Sequence, residues 1–313
     1  MMRRLIMIIA TGLLATACGT TAGSLGPAPA GTTSPSSPAS SPGGSPSSAA
    51  ASPGGRPSAT PATPAASAQG STGQVGLQVW FTRNARLFVT ERTVPAMAGV
   101  GRAAVDGLLA GPSAAEYAAG LRSQIPAGTS LLGLRISAGI GTVDLSSSFE
   151  SGAAPSTMPL RIAQMVYTLT QFPTISGVRF EIDGQGVTVV GGVPVQSPQT
   201  RAMYGGYLPA ITVRSPVIGE QVTSPVTVSG TANVFEATVS LRVLDSAGHE
   251  IARTFTTATC GTGCRGSYSV SVSYSVPRTQ PGTIEVFESS AKDGQPVNIQ
   301  QIPVTLGSVS ASG

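Results

Sequence analysis

The sequence has few charged residues, few aromatic residues and hardly any lysine. Charged residues make up 10% of its 313 residues, aromatic residues 5%, and Lys292 is the only lysine among 18 basic residues. Because the arginines form no dense basic stripe, nucleic acid is not an expected partner. The preference for arginine over lysine indicates a GC-rich genome, and the net charge of +4 only weakly favours anionic polymers or lipids as partners.

Histidine and cysteine are also scarce. His249 is the only histidine, and it lies in a turn-like AGHE segment that carries no neighbouring nucleophile. Cys260 and Cys264 could be two metal ligands, but a structural zinc site needs four, so a disulfide outside the cytosol is the favoured interpretation. Closing so short a loop contributes about 2 kcal/mol. We expect no metal, no cofactor and no catalytic residue.

No apolar run reaches the roughly 20 residues that a transmembrane helix needs. Arg3 and Arg4 precede a short, largely apolar segment, Leu5 to Ala17, which is typical of a cleaved signal peptide over residues 1–17. Small residues lead directly to Cys18. This segment resembles the lipobox of bacterial lipoproteins, in which the cysteine is lipidated after cleavage. An ordinary signal peptide with an incidental cysteine is the alternative.

Large apolar residues are nearly absent from the next segment. Between residues 19 and 74, Leu25 is the only large apolar residue and Arg56 the only charged one, and the rest is mainly Ser, Pro, Ala, Gly and Thr. Such a segment cannot bury enough surface to offset the entropy of ordering, so we expect disorder. Residues 18–74 are therefore predicted to be a lipidated cysteine followed by a tether.

Residues 75–193 mix the periodicities of strands and helices. Val75, Leu77, Val79 and Phe81 alternate with other residues, as in a strand. The order of elements predicts a βαββαβ-like α+β sandwich, with two helices on one face of a small sheet. The remaining elements are a hairpin partner at Leu87 and Val89, a helix from Met97 to Leu108, strands at Leu132–Ile136 and Val143–Leu145, a helix from Pro159 to Leu169, and a strand at Val178–Ile182.

The helical period disappears after Pro209. Seven short apolar runs separated by turns fill residues 211–307, and Ser269, Ser271 and Ser273 alternate with apolar neighbours. This rhythm predicts an all-β immunoglobulin-like sandwich. Residues 194–210 are then an interdomain linker, and residues 308–313 a disordered tail.

Several motifs, in order, resemble known bacterial domains. The segment from Leu77 to Gly184 resembles the GerMN domain of sporulation and spore germination proteins, and the segment from Ile211 to about Leu306 resembles the immunoglobulin-like domain of bacterial spore germination. The first resemblance is carried by GLLAGPSAAE (107–116), IPAGTSLLGL (125–134), GTVDLSSSF (141–149) and YTLTQFPTISGVRFEIDG (167–184), and the second by SPVIGEQVTSPVTVSGTANVFEATVSLRVLDSAG (215–248) and GTIEVFESSAKDG (282–294).

The resemblance implies a fold and a setting but no reaction. GerMN domains are similar to the ring-building folds of secretion-like complexes, and in endospore formers a lipoprotein with two tandem copies helps to assemble a channel between mother cell and forespore. This chain has a single copy followed by a sandwich, and neither family supplies catalytic residues that could be carried over.

Three carboxylates and three aromatic residues are the remaining candidates. Asp144, Glu181 and Asp183 could suggest hydrolysis, but each alternates with apolar residues and is expected to point to solvent. Aromatic residues near the predicted domain boundary could form an interaction surface for carbohydrate or protein, or could pack between the domains. These aromatic residues are Trp80, Tyr204 and Tyr207.

The sequence therefore predicts a lipoprotein on the extracytoplasmic face of the cell membrane of a high-GC Gram-positive bacterium. Its function is expected to be a non-catalytic binding or scaffold role in the cell envelope, with the membrane as one partner through the lipid anchor. An envelope protein or a cell-wall polymer is the expected second partner. The alternatives are a hydrolase of cell-wall glycan or peptide, and a solute-binding component of a transporter with a deep apolar cleft.

Overall fold

The computed structural model describes residues 73–96, 99–152 and 154–308, which belong to one compact unit. The predicted signal peptide, Cys18 and nearly all of the predicted tether lie outside the described residues. The same is true of residues 309–313 in the predicted tail. No helix in the described ranges combines the length and apolar character that crossing a bilayer requires.

The first domain is α+β, as the sequence predicts, and its strands and helices follow the predicted order. A hairpin comes first, then a helical segment, two strands, a long helix and a further strand. Its elements are β1 (Gln74–Arg83), β2 (Arg86–Pro95), α1 (Val100–Leu109), α2 (Ala114–Ala118), β3 (Leu131–Ser137), β4 (Ile140–Leu145), α3 (Met158–Leu169), β5 (Gly177–Ile182), β6 (Gln185–Gly186), β7 (Val189–Val190) and β8 (Val193–Pro194), with 3₁₀ helices at Ser147–Glu150 and Arg201–Tyr207.

Helix α3 lies at the centre of this domain. Every residue from Leu160 to Leu169 is buried, which is typical of a helix surrounded by protein. The helix contacts α1, the hairpin β1–β2 and β5. The strands consequently form two main sheets, β1-β2 and β3-β4-β5-β6, where the sequence indicated a single small sheet. Strands β4 and β5 pair in parallel, and α3 supplies the crossover that a parallel pair needs.

Helix α1 ends as its sequence predicts, and a short helix follows that the sequence analysis missed. Gly111 adopts a positive φ of 81° directly after the last turn, a backbone conformation that favours glycine. Helix α2 spans only five residues, too few for a helical period to be visible. It begins at a capping box in which Ser113 and Glu116 satisfy each other's backbone N–H groups.

Strand β3 lies at the edge of its sheet and differs from the expected pattern. Leu132 and Ile136 are 50% and 51% exposed, although their spacing is that of a strand with one buried face. A register shift between Leu131 and Gly133 interrupts the pairing with β4. Such a bulge redirects the side chains that follow it, so the alternation does not correspond to burial here.

The second domain is a β-sandwich, which confirms the predicted architecture. One sheet has the strand order β10-β16-β15-β12-β13 and the other has the order β14-β11-β9. Fully buried residues from both sheets, such as Val228, Leu241 and Val286, form the core. The strands are β9 (Ile211–Ser215), β10 (Gln221–Val222), β11 (Val226–Ala232), β12 (Thr238–Leu244), β13 (Glu250–Thr257), β14 (Gly266–Val272), β15 (Gln280–Ser289) and β16 (Pro296–Leu306), with a 3₁₀ helix at Phe235–Ala237.

The segment expected to be a linker, residues 194–210, is folded onto the first domain. Its 3₁₀ helix packs against α3. The Arg201 guanidinium donates to the Tyr167 carbonyl at 2.9 Å, and the Tyr167 hydroxyl donates to the Arg201 carbonyl at 3.2 Å. Strand β2 then contacts β9 across the domain boundary. The two domains are therefore in direct contact along folded segments.

Candidate binding cleft

A cleft with a volume of about 400 Å³ lies at the domain boundary, and we call it the boundary cleft. Its floor is the outer face of the sheet β14-β11-β9. Its opposite wall is formed by the hairpin β1–β2, through Gln78 and Trp80, and by Arg201 of the 3₁₀ helix. Binding sites for small molecules usually measure about 300–1,000 Å³. The boundary cleft is therefore large enough for a small organic ligand.

Two arginines line the cleft, and none of the described residues that line it is acidic. Arg214 is exposed and has neither a hydrogen-bond nor a carboxylate partner among the described residues. Arg201 donates from Nε to the Thr170 hydroxyl at 2.8 Å and from Nη2 to the Tyr167 carbonyl at 2.9 Å, and both acceptors are neutral. Burial lowers the pKa of Arg201. The two positive charges are therefore not neutralised within the cleft.

Hydroxyl groups form most of the cleft floor because the strands alternate. In β14, Gly266 and Tyr268 are buried, whereas Ser267 and Ser269 face outward into the cleft. Ser229 of β11 lines the same floor. The hydroxyls of these three serines have no hydrogen-bond partner within the described ranges, so they are free to bond a ligand.

The three aromatic candidates do not form an exposed surface. Trp80 and Tyr204 are each only 5% exposed, and Tyr207 is half-buried. The Trp80 ring packs 4.8 Å from the Tyr167 ring, measured between centroids. The Tyr204 hydroxyl donates to Gln199 at 2.6 Å, and burial raises the Tyr204 pKa to about 12. The burial of Trp80 and Tyr204 matches the alternative in which these aromatic residues pack inside the folded protein, and of the three only Trp80 lines the boundary cleft.

The acidic candidates make structural contacts. Asp144 accepts from the Gly184 backbone N–H at 2.9 Å, and Asp183 accepts from that of Ser147 at 3.2 Å. Glu181 pairs with Arg135 at 2.6 Å. Asp144 therefore satisfies a turn, Asp183 the start of the first 3₁₀ helix, and Glu181 pairs with β3 across the intervening strand β4. No group of three or more His, Cys, Asp or Glu side chains in the described part of the chain is arranged to hold a metal ion.

His249 and the two later cysteines do not line the boundary cleft. The His249 side chain is exposed, with Nδ1 3.5 Å from Asp245 Oδ2. Cys260 and Cys264 are joined as a disulfide, with their Cα atoms 5.7 Å apart. They lie in the connection that passes from β13 in one sheet to β14 in the other.

Most residues of the boundary cleft were missed by sequence reasoning. The outward orientation of Ser269 was visible in the strand alternation, but nothing in the sequence places it opposite Gln78 or Arg201. The cleft exists only because two domains meet, and the residues that line it are distant along the chain. Its lining mixes charged and hydroxyl groups with apolar surface, whereas a solute-binding role was expected to need a deep apolar cleft.

Two family models match the chain, one in each domain. Residues 74–188 match the model described as sporulation and spore germination. Residues 210–295 match the model described as the immunoglobulin-like domain of bacterial spore germination. The chain therefore has a germination-type domain architecture, and neither family description names an enzymatic activity.

Solved structures with similarity to the chain include GerMN domains. The tandem GerMN domains of the sporulation protein GerM from Bacillus subtilis are 15% identical, with 77% of this chain and 63% of that chain covered and a TM-score of 0.37. The first GerMN domain alone is 20% identical over 41% of this chain and 98% of that chain, with a TM-score of 0.33. A Clostridium perfringens protein assigned as a lipoprotein is 20% identical over 42% of this chain and 89% of that chain, with a TM-score of 0.31. No curated protein sequence matches the chain.

Proposed function

We propose that this chain is an extracytoplasmic lipoprotein whose two domains act together as a non-catalytic binding module of the cell envelope. The observation that carries the proposal is the order of its parts. A signal-like segment, Cys18 and a Ser/Pro-rich tether precede two domains that match sporulation and germination families. Diacylglyceryl modification of Cys18 would hold the chain at the membrane, because two acyl chains anchor stably where one does not.

The described surface supports binding better than catalysis. The carboxylates that could have served hydrolysis are engaged in turn and strand contacts, and His249 lies in an exposed turn. The boundary cleft, by contrast, presents polar side chains without protein partners on a floor of paired strands. We infer that the module recognises an envelope component, either a protein or a wall polymer.

The anchor is tested by replacing Cys18. We expect Cys18→Ser to abolish incorporation of labelled palmitate and to move the protein from the membrane fraction to the medium or the soluble fraction. The matched control is the double variant Cys260→Ser, Cys264→Ser, which removes two cysteines and should leave labelling and fractionation unchanged. Membrane retention and labelling of the Cys18→Ser variant would overturn the proposed anchor.

The binding role is tested by crosslinking the full-length protein in its own cells and identifying what is attached. We expect one predominant envelope protein or wall fragment, captured by the native protein and not by unfolded material. Recovery of no envelope component, together with no retention on purified cell wall, would overturn the proposed role.

A further inference from the structure

We infer that the boundary cleft binds an anionic sugar or polyol, meaning a polyhydroxylated carbon skeleton that carries a carboxylate or phosphate group. This inference rests on the proposed binding function and adds a site and a ligand class to it. Three properties of the cleft lead to it: its uncompensated positive charge, its free hydroxyl groups, and the rigidity of its walls.

The charge of the cleft indicates an anion. Arg214 has no partner among the described residues, and the two donors of Arg201 that are engaged meet only neutral oxygens. Guanidinium groups bind carboxylate and phosphate through two parallel N–H···O bonds. Because the described lining residues include no acidic side chain, an anionic ligand would supply the opposite charge that they do not.

The neutral groups of the cleft indicate that the anion is part of a larger, hydroxylated molecule. The hydroxyls of Ser229, Ser267 and Ser269 and the side-chain amide of Gln78 have no partner in the described part of the chain. A serine hydroxyl both donates and accepts, so it matches the hydroxyls of a sugar in either role. A bare inorganic ion would leave these groups unused and most of the 400 Å³ volume unfilled.

The walls of the cleft are held in place before any ligand arrives. At Gly230 an added Cβ would lie 1.9 Å from the Thr212 carbonyl oxygen, so only glycine allows this approach of β11 to β9. The Tyr268 hydroxyl donates to the same carbonyl at 2.9 Å. On the opposite wall, the Gln171 side chain bonds both backbone groups of Gln78, each at 2.7 Å. A preformed site loses less conformational entropy on binding.

An acidic peptide is the competing ligand, and the lining argues against it. Peptides bound to sheets gain specificity from pockets for alternate side chains. The large apolar and aromatic side chains among the described lining residues are Trp80, Val89 and Tyr268, and all three are buried. The apolar surface of the cleft therefore comes from these buried side chains and from carbon atoms set among charged and hydroxyl groups, an arrangement that suits a hydroxylated ligand better than one that needs a row of apolar pockets.

The test is calorimetric titration of the full chain, purified in detergent, with five probes. We expect trigalacturonate or glucose 6-phosphate to bind at least tenfold more tightly than neutral maltotriose and inorganic phosphate, and the tighter of the two identifies the preferred anion. Trp80 is the chain's only tryptophan and lines the cleft, so its fluorescence should change with the same saturation curve. Binding of neither anionic sugar, or equally tight binding of triglutamate, would overturn the inference.

Substitutions locate the site. Arg214→Ala should weaken binding of the anionic sugar about tenfold or more, since a charge-assisted hydrogen bond is lost. Arg214→Lys should weaken it less, because the charge remains but the planar fork does not. Arg278→Ala removes an exposed arginine that lies outside the cleft and should change the affinity less than twofold.

The double variant Ser229→Ala, Ser269→Ala should lower sugar affinity about tenfold without changing the binding of inorganic phosphate.

Equal effects of Arg214→Ala and Arg278→Ala would place the binding elsewhere and overturn the inference. The proposed function and this site can be tested independently of each other. A chain that crosslinks to an envelope component but binds none of the sugars keeps its proposed function and loses this site.

Discussion

Glu116 joins helix α2 to strand β2 through one buried carboxylate. It is 2% exposed, and it accepts from the Thr90 hydroxyl at 2.6 Å and from the Ser113 backbone N–H at 2.7 Å. Arg92 approaches it with two N–H groups, at 2.7 and 2.6 Å. Burial alone would raise the pKa of Glu116, but these hydrogen bonds together lower it to about 2. The ionised form is therefore the one that stabilises the fold.

The stability of the protein should depend on this carboxylate in a defined pH range. Because the pKa of Glu116 is depressed on folding, from about 4.5 to about 2, its contribution is fully present above about pH 4.5 and is lost as pH falls toward 2. We expect Glu116→Gln to lower the free energy of unfolding by about 2–4 kcal/mol at pH 7. The difference from the unmodified protein should shrink steadily below pH 4.5 in urea titrations.

The control for this prediction is Glu236→Gln, because the Glu236 side chain is exposed and makes no hydrogen bond within the described ranges. It should leave the urea midpoint nearly unchanged at every pH. If Glu116→Gln lowers the free energy of unfolding by the same amount at pH 3 as at pH 7, ionisation of Glu116 contributes nothing to stability.

At the level of elements, the free edge of strand β1 is closed mainly by side chains, together with one backbone bridge between Thr82 and Arg122. The Trp80 carbonyl accepts from the Gln164 side chain at 2.9 Å, and the Trp80 N–H donates to the Thr168 hydroxyl at 3.2 Å. The Gln171 side chain likewise accepts from the Gln78 backbone N–H and donates to the Gln78 carbonyl. Residues in and just after α3 thus act as a substitute strand, which satisfies an edge that would otherwise be open to other chains.

Among the side chains that cover the β1 edge, Gln164 is the one whose replacement should destabilise the fold most. It is fully buried, and besides bonding the Trp80 carbonyl it accepts from the Gln124 backbone N–H at 2.8 Å. We expect Gln164→Leu to lower the free energy of unfolding by about 2–4 kcal/mol, because two backbone groups are left without partners. Gln196→Leu, a substitution at an exposed glutamine, is the matched control in the same urea titration. Equal stability of the two variants would contradict this account of the β1 edge.

The sequence contains enough information to predict most elements and the class of both domains, but not how the elements satisfy one another. Val143, Leu145 and Phe180 alternate in strands with a buried face, and their strands were predicted correctly. Helix α2 was missed because five residues give no period. The β1 edge and the boundary cleft could not be predicted, because each depends on contacts between residues distant in sequence, such as Gln78 with Gln171.

At the scale of the whole molecule, arginine side chains connect the two domains. Arg265 of the second domain donates to the Pro209 carbonyl at 2.6 Å and to the Ala210 carbonyl at 3.4 Å. Arg83 at the end of β1 donates to the Gln301 carbonyl and the Gln300 side chain of β16, each at 3.0 Å. Hydrogen bonds from a charged donor contribute about 1.5–3 kcal/mol each at most. The two domains are therefore expected to unfold together.

We expect calorimetry of the unmodified protein to show a single cooperative unfolding transition. The double variant Arg83→Ala, Arg265→Ala should broaden this transition or split it in two, since it removes the charged donors at both ends of the boundary while leaving each core intact. Arg278→Ala, which removes an arginine without described contacts, should leave one transition at an unchanged temperature. Two transitions in the unmodified protein would contradict the predicted coupling.

The same double variant links the domain boundary to the boundary cleft. It keeps Arg201, Arg214 and the serines of the floor, so any change in ligand affinity must come from the relation between the two walls. If the walls act as one site, anionic sugar should bind more weakly while the Trp80 emission maximum shifts toward that of a more exposed indole. The domains of the variant could instead unfold separately while its affinity stays unchanged. That result would mean that one wall alone forms the site, and that Arg214 with the serines of the second domain is sufficient for binding.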